Sequence, residues 1–320
     1  MLFGGSNKKM TSKLGKLLTE QRNPESMNLD SSTIREILEI INRQDQIIAG
    51  KVAEQMDDIT KATELVDKAF QKDGRLIYVG AGTSGRLGVL DASEIPPTFN
   101  ASPERVQGFI AGGDTALRTA VEGAEDFPDD GRRLIDEIGV TDKDVVMGIA
   151  TSGVTPYVLG SLERGKELGA ATVFFTCADR NHIDINVDVL ISVPVGPEVI
   201  TGSTRMKSGT ATKMVLNMIT TTAMVKRGKV YENLMVDLKA TNIKLEDRAR
   251  RIVSTITSCS YEEASDLLVK SDNYVKVALV MQKSHASAEE SRLYLDRFDG
   301  DVRQAVDELE KNTDPNKKRS

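Results

Sequence analysis

The middle of the chain contains five short runs rich in β-branched and aromatic residues, and these runs constrain the fold more than any other feature of the sequence. Enough residues for a crossover connection separate each run from the next, usually with helical periodicity. Strands that alternate with helices indicate a doubly wound α/β fold, in which helices cover both faces of a parallel sheet. Ligands of such sheets bind beyond the carboxyl ends of the strands, so we expect functional residues in the loops that follow the runs. The runs are Arg75–Val79, Val106–Ile110, Asp144–Ile149, Ala171–Thr176 and Val189–Val193.

Helical segments flank this block on both sides. Apolar residues recur at helical spacing over Ile34–Ile41 and Ile48–Ile59, which predicts two N-terminal helices that pack on the α/β block or on a second subunit. S-x-x-E capping boxes at Ser260 and Ser287 predict a C-terminal bundle of three or four small helices. The predicted segments are an N-terminal helical segment at 1–70, the α/β domain at 71–245, the helical bundle at 246–310 and a frayed tail at 311–320.

Composition and charge exclude several classes of function. The net charge of −6 disfavours a nucleic-acid partner, because binding to a duplex needs a clustered positive field. The two cysteines, Cys177 and Cys259, lie far apart and outside any C-x-x-C spacing, and there are only two histidines, so a tetrahedral zinc site and a disulfide framework are both disfavoured. Met1–Lys16 lacks the apolar core of a secretory signal, and the most apolar stretch, Val215–Val225, is too short to span a bilayer. We therefore expect a cytoplasmic protein without a metal, a membrane partner or a nucleic-acid partner.

The loop after the first run carries three glycines. Gly80–Gly85 matches the G-x-G-x-x-G pattern of dinucleotide sites, which is a weak signal alone. That pattern also needs an acidic residue about 20 residues further on, and Asp114 lies too far along the chain to provide it. Hydroxyl groups at the mouth of a helix, beside free N–H groups, favour a phosphate monoester instead. We predict that Gly82, Thr83 and Ser84 bind phosphate.

The loop after the third run repeats this design. Thr151, Ser152 and Thr155 precede Pro156, which suits the first turn of a helix. One such loop is often only an N-cap. Two at the carboxyl ends of one sheet favour a shared phosphate site. Neither loop ends in the Lys-Ser/Thr pair of a nucleotide P-loop, so ATP is disfavoured.

Two glutamates lie near the predicted ends of helices. Glu94 and Glu125 each precede a proline, and a helix C-terminus disfavours a carboxylate anion. Burial would raise the pKa of such a carboxyl further, as a general acid at neutral pH requires. The alternative for both residues is an ordinary solvated surface glutamate.

A polar, glycine-rich segment, Gly196–Ala211, leads into an apolar helix. Its residues Ser203, Arg205 and Lys207 stand at the entry to that helix, where the two cations can neutralise a sugar phosphate or an acid. The alternative is an ordinary capped helix with solvated cations.

These motifs resemble those of the N-acetylmuramic acid 6-phosphate etherases. These bacterial enzymes have the sugar isomerase (SIS) fold and are related to the glucokinase regulatory protein. The resemblance covers nearly the whole chain, apart from the residues before Thr11. The runs that carry it are Gly80–Pro97, Val121–Asp126 and Gly196–Ala211, with Thr19–Asn23 and Asn233–Asp237.

The resemblance implies an SIS-type sheet, a ubiquitin-associated-like C-terminal bundle, a homodimer and no cofactor. It implies a carbon–oxygen lyase that cleaves the D-lactyl ether of N-acetylmuramic acid 6-phosphate, giving N-acetylglucosamine 6-phosphate and D-lactate in cell-wall amino-sugar recycling. By motif, Glu94 corresponds to the proton donor and Glu125 to the second essential acid, the base. The phosphate-binding hydroxyl positions correspond to Ser84, Ser152 and Thr155, with Thr151 acting through its backbone.

Three other functions remain open from the residues. A phosphosugar isomerase of the same fold would share the phosphate site, and a lactate assay separates it from an etherase. A non-catalytic sugar-phosphate sensor resembling the regulatory protein would carry tandem SIS domains, whereas one set of loops is visible here. A dehydrogenase would bind NAD.

Overall fold

The computed structural model describes residues 18–238 and 243–313. The prediction that Met1–Lys16 is not a secretory signal concerns residues outside the described ranges. Residues 314–320 of the predicted tail also lie outside them. Within the two described ranges, no helix has both the length and the apolar character needed to cross a membrane.

The chain forms two compact units. The described part of the first unit comprises 18–94 and 102–220, and that of the second comprises 95–101, 221–238 and 243–313. Two stretches of the segment predicted as the α/β domain, 95–101 and 221–238, belong to the second unit. The sheet and every predicted site residue lie in the first unit.

The core of the first unit is a five-stranded parallel sheet in the order β2-β1-β3-β4-β5. All five predicted runs form strands, with ends that differ by at most one residue. The strand order changes direction between β1 and β3, and ligands of doubly wound sheets bind at such a switch point. The strands are β1, Leu76–Gly80; β2, Val106–Ile110; β3, Val145–Ile149; β4, Ala171–Thr176; and β5, Val189–Ser192.

Helices cover both faces of the sheet, as expected. On one face α7 packs so closely that a Cβ atom on Gly148 would lie 2.6 Å from side-chain atoms of Val158 and Leu162. On the other face Gly88 of α4 lies against Tyr78. The helices are α1, Ile34–Gln46; α2, Ile48–Ala53; α3, Met56–Gln71; α4, Gly82–Phe99; α5, Gly113–Arg118; α6, Pro128–Glu137; α7, Pro156–Glu167; and α8, Lys207–Lys226.

The N-terminal segment contains three α-helices rather than the two expected. The second apolar stripe is divided between α2 and α3, and its residues Ile48 and Ile59 are buried. In the first stripe Ile34 is 80% and Leu38 is 59% exposed, so its packing on a second subunit stays a prediction. A single described chain therefore leaves this face of α1 uncovered.

The second unit is helical apart from a two-stranded hairpin. It contains five helices beyond residue 242 where three or four were expected, and the capping boxes at Ser260 and Ser287 are both present. Residues 311–313, expected to fray, form the last turn of a helix. The elements are β6, Val230–Tyr231; β7, Leu234–Met235; α9, Ile243–Thr257; α10, Tyr261–Lys270; α11, Val275–Ser284; α12, Ala288–Arg297; and α13, Val302–Thr313.

Candidate functional site

The loop between β1 and α4 is a tight turn that presents two hydroxyl groups. A Cβ atom on Gly80 would lie 2.6 Å from the backbone nitrogen of Gly85, so only glycine permits this approach. Gly82 has a φ of +52°, a conformation that favours glycine. Thr83 is half-buried and Ser84 is buried. Neither hydroxyl forms a hydrogen bond with another residue in the described part of the chain, so both are available to a ligand.

The loop between β3 and α7 has the same character. Thr155 is the N-cap of α7 and Pro156 follows at the first position, as predicted, but the Thr155 side chain makes no capping bond. Ser152 accepts only a long hydrogen bond, 3.5 Å, from the backbone nitrogen of Val154. The first turn of α7 thus begins beside hydroxyl groups that the helix itself does not use.

The register of the sheet places these two loops side by side. Gly80 and Ile149 are paired at the ends of β1 and β3, and neighbouring strands lie about 5 Å apart. Thr151 is buried, and its carbonyl oxygen accepts a hydrogen bond from Cys177 N at 3.0 Å, which fixes the second loop to the chain beyond β4. Both predicted phosphate loops therefore flank the switch point of the sheet.

The glycine-rich segment before α8 approaches the first loop. A Cβ atom on Gly209 would lie 3.5 Å from Cγ2 of Thr83 and 3.4 Å from the carbonyl oxygen of Thr204. Ser203 and the exposed Arg205, just before this point, form no side-chain hydrogen bond or ion pair with other residues between 18 and 238 or 243 and 313. These side chains are available near the hydroxyl groups of α4.

Lys207 has a different environment from its two neighbours in the motif. It is 1% exposed, and its Nζ atom donates to Oε1 of Gln44 at 2.8 Å and to the carbonyl oxygen of Pro197 at 3.0 Å. Burial lowers the pKa of its ammonium group, and the charge of Glu198 opposes that change. The ammonium group is thus engaged inside the protein. Its predicted role as a phosphate ligand stays a prediction that requires these bonds to open.

Glu198 is a buried residue of this region that sequence reasoning missed. Its carboxylate accepts hydrogen bonds from the backbone nitrogens of Lys207 and Ser208, both at 2.9 Å, and from the Ser208 hydroxyl at 2.7 Å. It therefore caps the N-terminus of α8, where the positive end of the helix dipole stabilises its negative charge. The local sequence gives no sign of this, because the capping residue lies nine positions before the helix rather than directly ahead of it.

Glu125 lies in a turn and not at a helix end. The predicted helix that begins near Asp114 ends already at Arg118, so the helix-end argument for Glu125 is wrong. The turn is held elsewhere, because the carbonyl oxygen of Glu125 accepts a hydrogen bond from Tyr157 N in the first turn of α7, at 3.0 Å. Glu125 is consequently fixed next to the second phosphate loop.

A cleft of about 190 Å³ brings Glu125 together with the first phosphate loop. Gly82, Arg86, Glu122 and Glu125 are among the residues that line it. Burial raises the pKa of the Glu125 carboxyl, and the negative charges of Asp126 and Glu122 raise it further. The cleft therefore contains a carboxylate whose basicity is enhanced, beside the mouth of α4.

Glu94 is not part of this cleft. Helix α4 continues through Pro96 and Pro97 to Phe99, so the expectation that Glu94 ends a helix is wrong, and its side chain is exposed rather than buried. Glu94 lies twelve residues beyond Gly82 in the same helix, about 18 Å along the axis. Glu94 is therefore well removed from the mouth of α4 within one chain, and it is not among the residues that line the cleft.

Two domain families match the chain. The N-terminal SIS domain of the glucokinase regulatory protein matches residues 52–166. The C-terminal lid domain of the glucokinase regulatory protein matches residues 232–291.

Curated relatives match nearly the full length. The N-acetylmuramic acid 6-phosphate etherase of Salinibacter ruber is 52% identical over 91% of this chain and 94% of its own length. The protein of the same name from Synechocystis is 49% identical over 92% of this chain and 96% of its own length. Among solved structures, phosphoheptose isomerase from Neisseria gonorrhoeae has a TM-score of 0.46 and 18% identity, and covers 60% of this chain and 98% of that one.

Proposed function

This chain belongs to the N-acetylmuramic acid 6-phosphate etherase family, and we propose that it cleaves the D-lactyl ether of N-acetylmuramic acid 6-phosphate. The products are D-lactate and N-acetylglucosamine 6-phosphate, and the reaction is that of a carbon–oxygen lyase serving the recycling of cell-wall amino sugars. The observation that carries the proposal is Glu125, a carboxylate of raised pKa that lines a small cleft together with Gly82 at the start of α4.

The phosphate of the substrate is bound at the switch point of the sheet. Two helices begin there, and their N-termini favour an anion through free N–H groups and the helix dipole. Arg205 adds a positive charge. Lys207 joins these ligands only when its bonds to Gln44 and Pro197 open. The proposed phosphate-binding residues are Gly82, Thr83, Ser84, Thr151, Ser152, Thr155, Ser203 and Arg205.

Two carboxyl groups suffice for the chemistry. When the sugar ring opens, the C1 aldehyde acidifies the proton on C2. Glu125 removes that proton, the C3–O bond breaks, and Glu94 protonates the departing lactate oxygen. Water then adds to the conjugated aldehyde: its oxygen bonds to C3, Glu94 accepts its proton, and Glu125 returns a proton to C2, so both carboxyl groups regain their starting states. A raised pKa strengthens Glu125 as a base, and the bound phosphate holds C2 in register.

The working enzyme is a cytoplasmic homodimer in which Glu94 reaches the cleft from the second copy. The separation of about 18 Å along α4 supports this arrangement. So does the exposure of Glu94 and of the apolar residues Ile34 and Leu38 on α1, since exposed apolar side chains on a helix face favour contact with a partner.

The test is release of D-lactate from N-acetylmuramic acid 6-phosphate by the purified protein. Stoichiometric lactate and N-acetylglucosamine 6-phosphate are expected. Interconversion of aldose and ketose phosphates without lactate would identify a phosphosugar isomerase instead, and binding of sugar phosphate without any turnover would identify a sensor.

A further inference from the structure

Arg86 is a basic residue in the Glu125 cleft whose charge is not neutralised. It lies one turn into α4, where its Nε atom donates to the carbonyl oxygen of Leu117 at 3.1 Å and its Nη2 atom donates to that of Ala116 at 2.7 Å. These bonds fix the guanidinium group against the end of α5. They leave three of its five N–H groups for a ligand, both of those on Nη1 among them.

The charges that line the cleft are unequal. Arg86 is the single basic residue among the lining residues, all of which belong to the described part of the chain, whereas Glu122 and Glu125 are acidic. No carboxylate of the described ranges forms an ion pair with Arg86. Among the side chains that line the cleft, the two glutamates would repel an anionic group and this guanidinium group would attract it.

The proposed substrate carries two anions of different geometry. One is the phosphate on C6, for which the structure offers hydroxyl groups, helix N-termini and Arg205. The other is the planar carboxylate of the lactyl group on C3, beside the C2 proton that Glu125 removes. A guanidinium group held in a fixed orientation suits a planar carboxylate, because the two can form paired parallel hydrogen bonds.

We propose that Arg86 binds the lactyl carboxylate and so selects the muramic acid phosphate over hexosamine phosphates that lack this group. This assignment rests on the proposed function and adds a specificity-determining residue to it. Arg86 also orients the lactyl group for departure, since the carboxylate is joined through one carbon to the ether oxygen that leaves.

The experiment compares two ligands that differ only at C3. The affinity of Arg86→Gln and Arg86→Lys for N-acetylglucosamine 6-phosphate is measured by calorimetry, and their KM and kcat by lactate release from N-acetylmuramic acid 6-phosphate. We expect KM to rise about 10- to 100-fold in Arg86→Gln, because this variant loses hydrogen bonds to a charged carboxylate. The affinity for N-acetylglucosamine 6-phosphate should be unchanged. Arg86→Lys, which keeps the charge but loses the paired geometry, should fall between wild type and Arg86→Gln.

Arg118→Gln is the matched control, because this arginine is exposed at the end of α5 and does not line the cleft. This variant should keep the wild-type affinity for N-acetylglucosamine 6-phosphate and the wild-type KM and kcat for N-acetylmuramic acid 6-phosphate. If Arg86→Gln weakened the binding of both ligands equally, Arg86 would contact the phosphate or support the fold instead. An unchanged KM would show that Arg86 does not bind the substrate. Failure of the proposed function is distinct, since it would appear as wild-type protein that releases no lactate.

Discussion

The Nζ atom of Lys207 lies 2.8 Å from Oε1 of Gln44, a residue 163 positions earlier in the chain. The same oxygen accepts a hydrogen bond from Nδ2 of Asn23 at 2.8 Å, and both donors also bond to the carbonyl oxygen of Pro197. All three side chains are buried. This network joins the N-terminal segment and α1 to the start of α8, so the glycine-rich loop before α8 is held by residues outside its own motif.

Gln44→Leu should destabilise the protein by about 1–3 kcal/mol. The substitution removes an acceptor shared by two buried donors, and an unsatisfied buried polar group costs about that much. Gln44→Glu is the matched control, because a carboxylate oxygen can accept the same two hydrogen bonds and lies beside a cation. The free energy of unfolding measured in urea should be highest for the wild type, lower for Gln44→Glu and lowest for Gln44→Leu. Equal losses in the two variants would contradict the role of the acceptor.

The strands and the two hydroxyl-bearing loops after β1 and β3 were predictable because their signals are local. An apolar run between turn residues predicts a short buried strand, and the loop directly after such a strand is where a ligand is expected to bind. The capping boxes at Ser260 and Ser287 were equally local. Since these features depend on a few consecutive residues, one sequence was enough to place them.

The errors concern contacts between distant parts of the chain. The burial of Lys207 and the capping by Glu198 depend on partners that no local window contains. Proline was expected to end α4, yet the helix continues through Pro96 and Pro97 to Phe99, because local preference is only a weak guide to where a helix ends. The periodicity at Ile34 indicates an apolar face but not what covers it, so the sequence left open whether the α/β block or a second subunit packs there.

The acid limb of the pH–rate profile should report Glu125. The base must be ionised, and burial together with the charges of Asp126 and Glu122 raises the pKa of Glu125 above its ordinary value of 4.5. The midpoint of this limb in kcat/KM is therefore expected above pH 4.5. Asp126→Asn removes one like charge, which favours the ionised form, so the limb should move to lower pH.

Asp129→Asn is the control for this shift, because Asp129 is exposed and is not among the groups that raise the pKa of Glu125. Its profile should superimpose on that of the wild type. If Asp126→Asn left the limb in place as well, Glu125 would not be the group that titrates.

Glu94→Gln should separate the two proton transfers. Glutamine cannot protonate the departing lactate oxygen, so lactate release should fall about 10²–10⁴-fold. Glu125 remains able to remove the C2 proton, and in deuterated water the recovered substrate should therefore contain deuterium at C2, seen by proton NMR. Glu104→Gln, a change at another exposed glutamate of the same unit, should retain full activity. Full activity of Glu94→Gln would refute its assignment as the acid.

Asp237 should contribute acid-sensitive stability to the second unit. Its Oδ2 atom lies 2.6 Å from Nζ of Lys229 and 2.9 Å from Nζ of Lys276. Burial acts to raise the pKa of Asp237, but the two ammonium groups outweigh burial and hold it below 3.8. Because the folded pKa is depressed, the contribution is present above the unfolded pKa and is lost as pH falls through the folded one.

Asp237→Asn should cost about 3 kcal/mol at neutral pH, since it leaves two partly buried cations without their counter-ion. The difference from wild type in urea unfolding should shrink as pH falls below 3.8, because the unfolded wild-type chain then binds a proton that the folded protein, with its depressed pKa, does not yet bind. Asp299→Asn is the control, because Asp299 is 79% exposed in its ion pair with Arg227, and such surface pairs contribute at most about 1 kcal/mol. A difference between wild type and Asp237→Asn that stayed constant down to pH 3 would show that the carboxylate charge is not the source of this stability, because protonation would then leave the contribution intact.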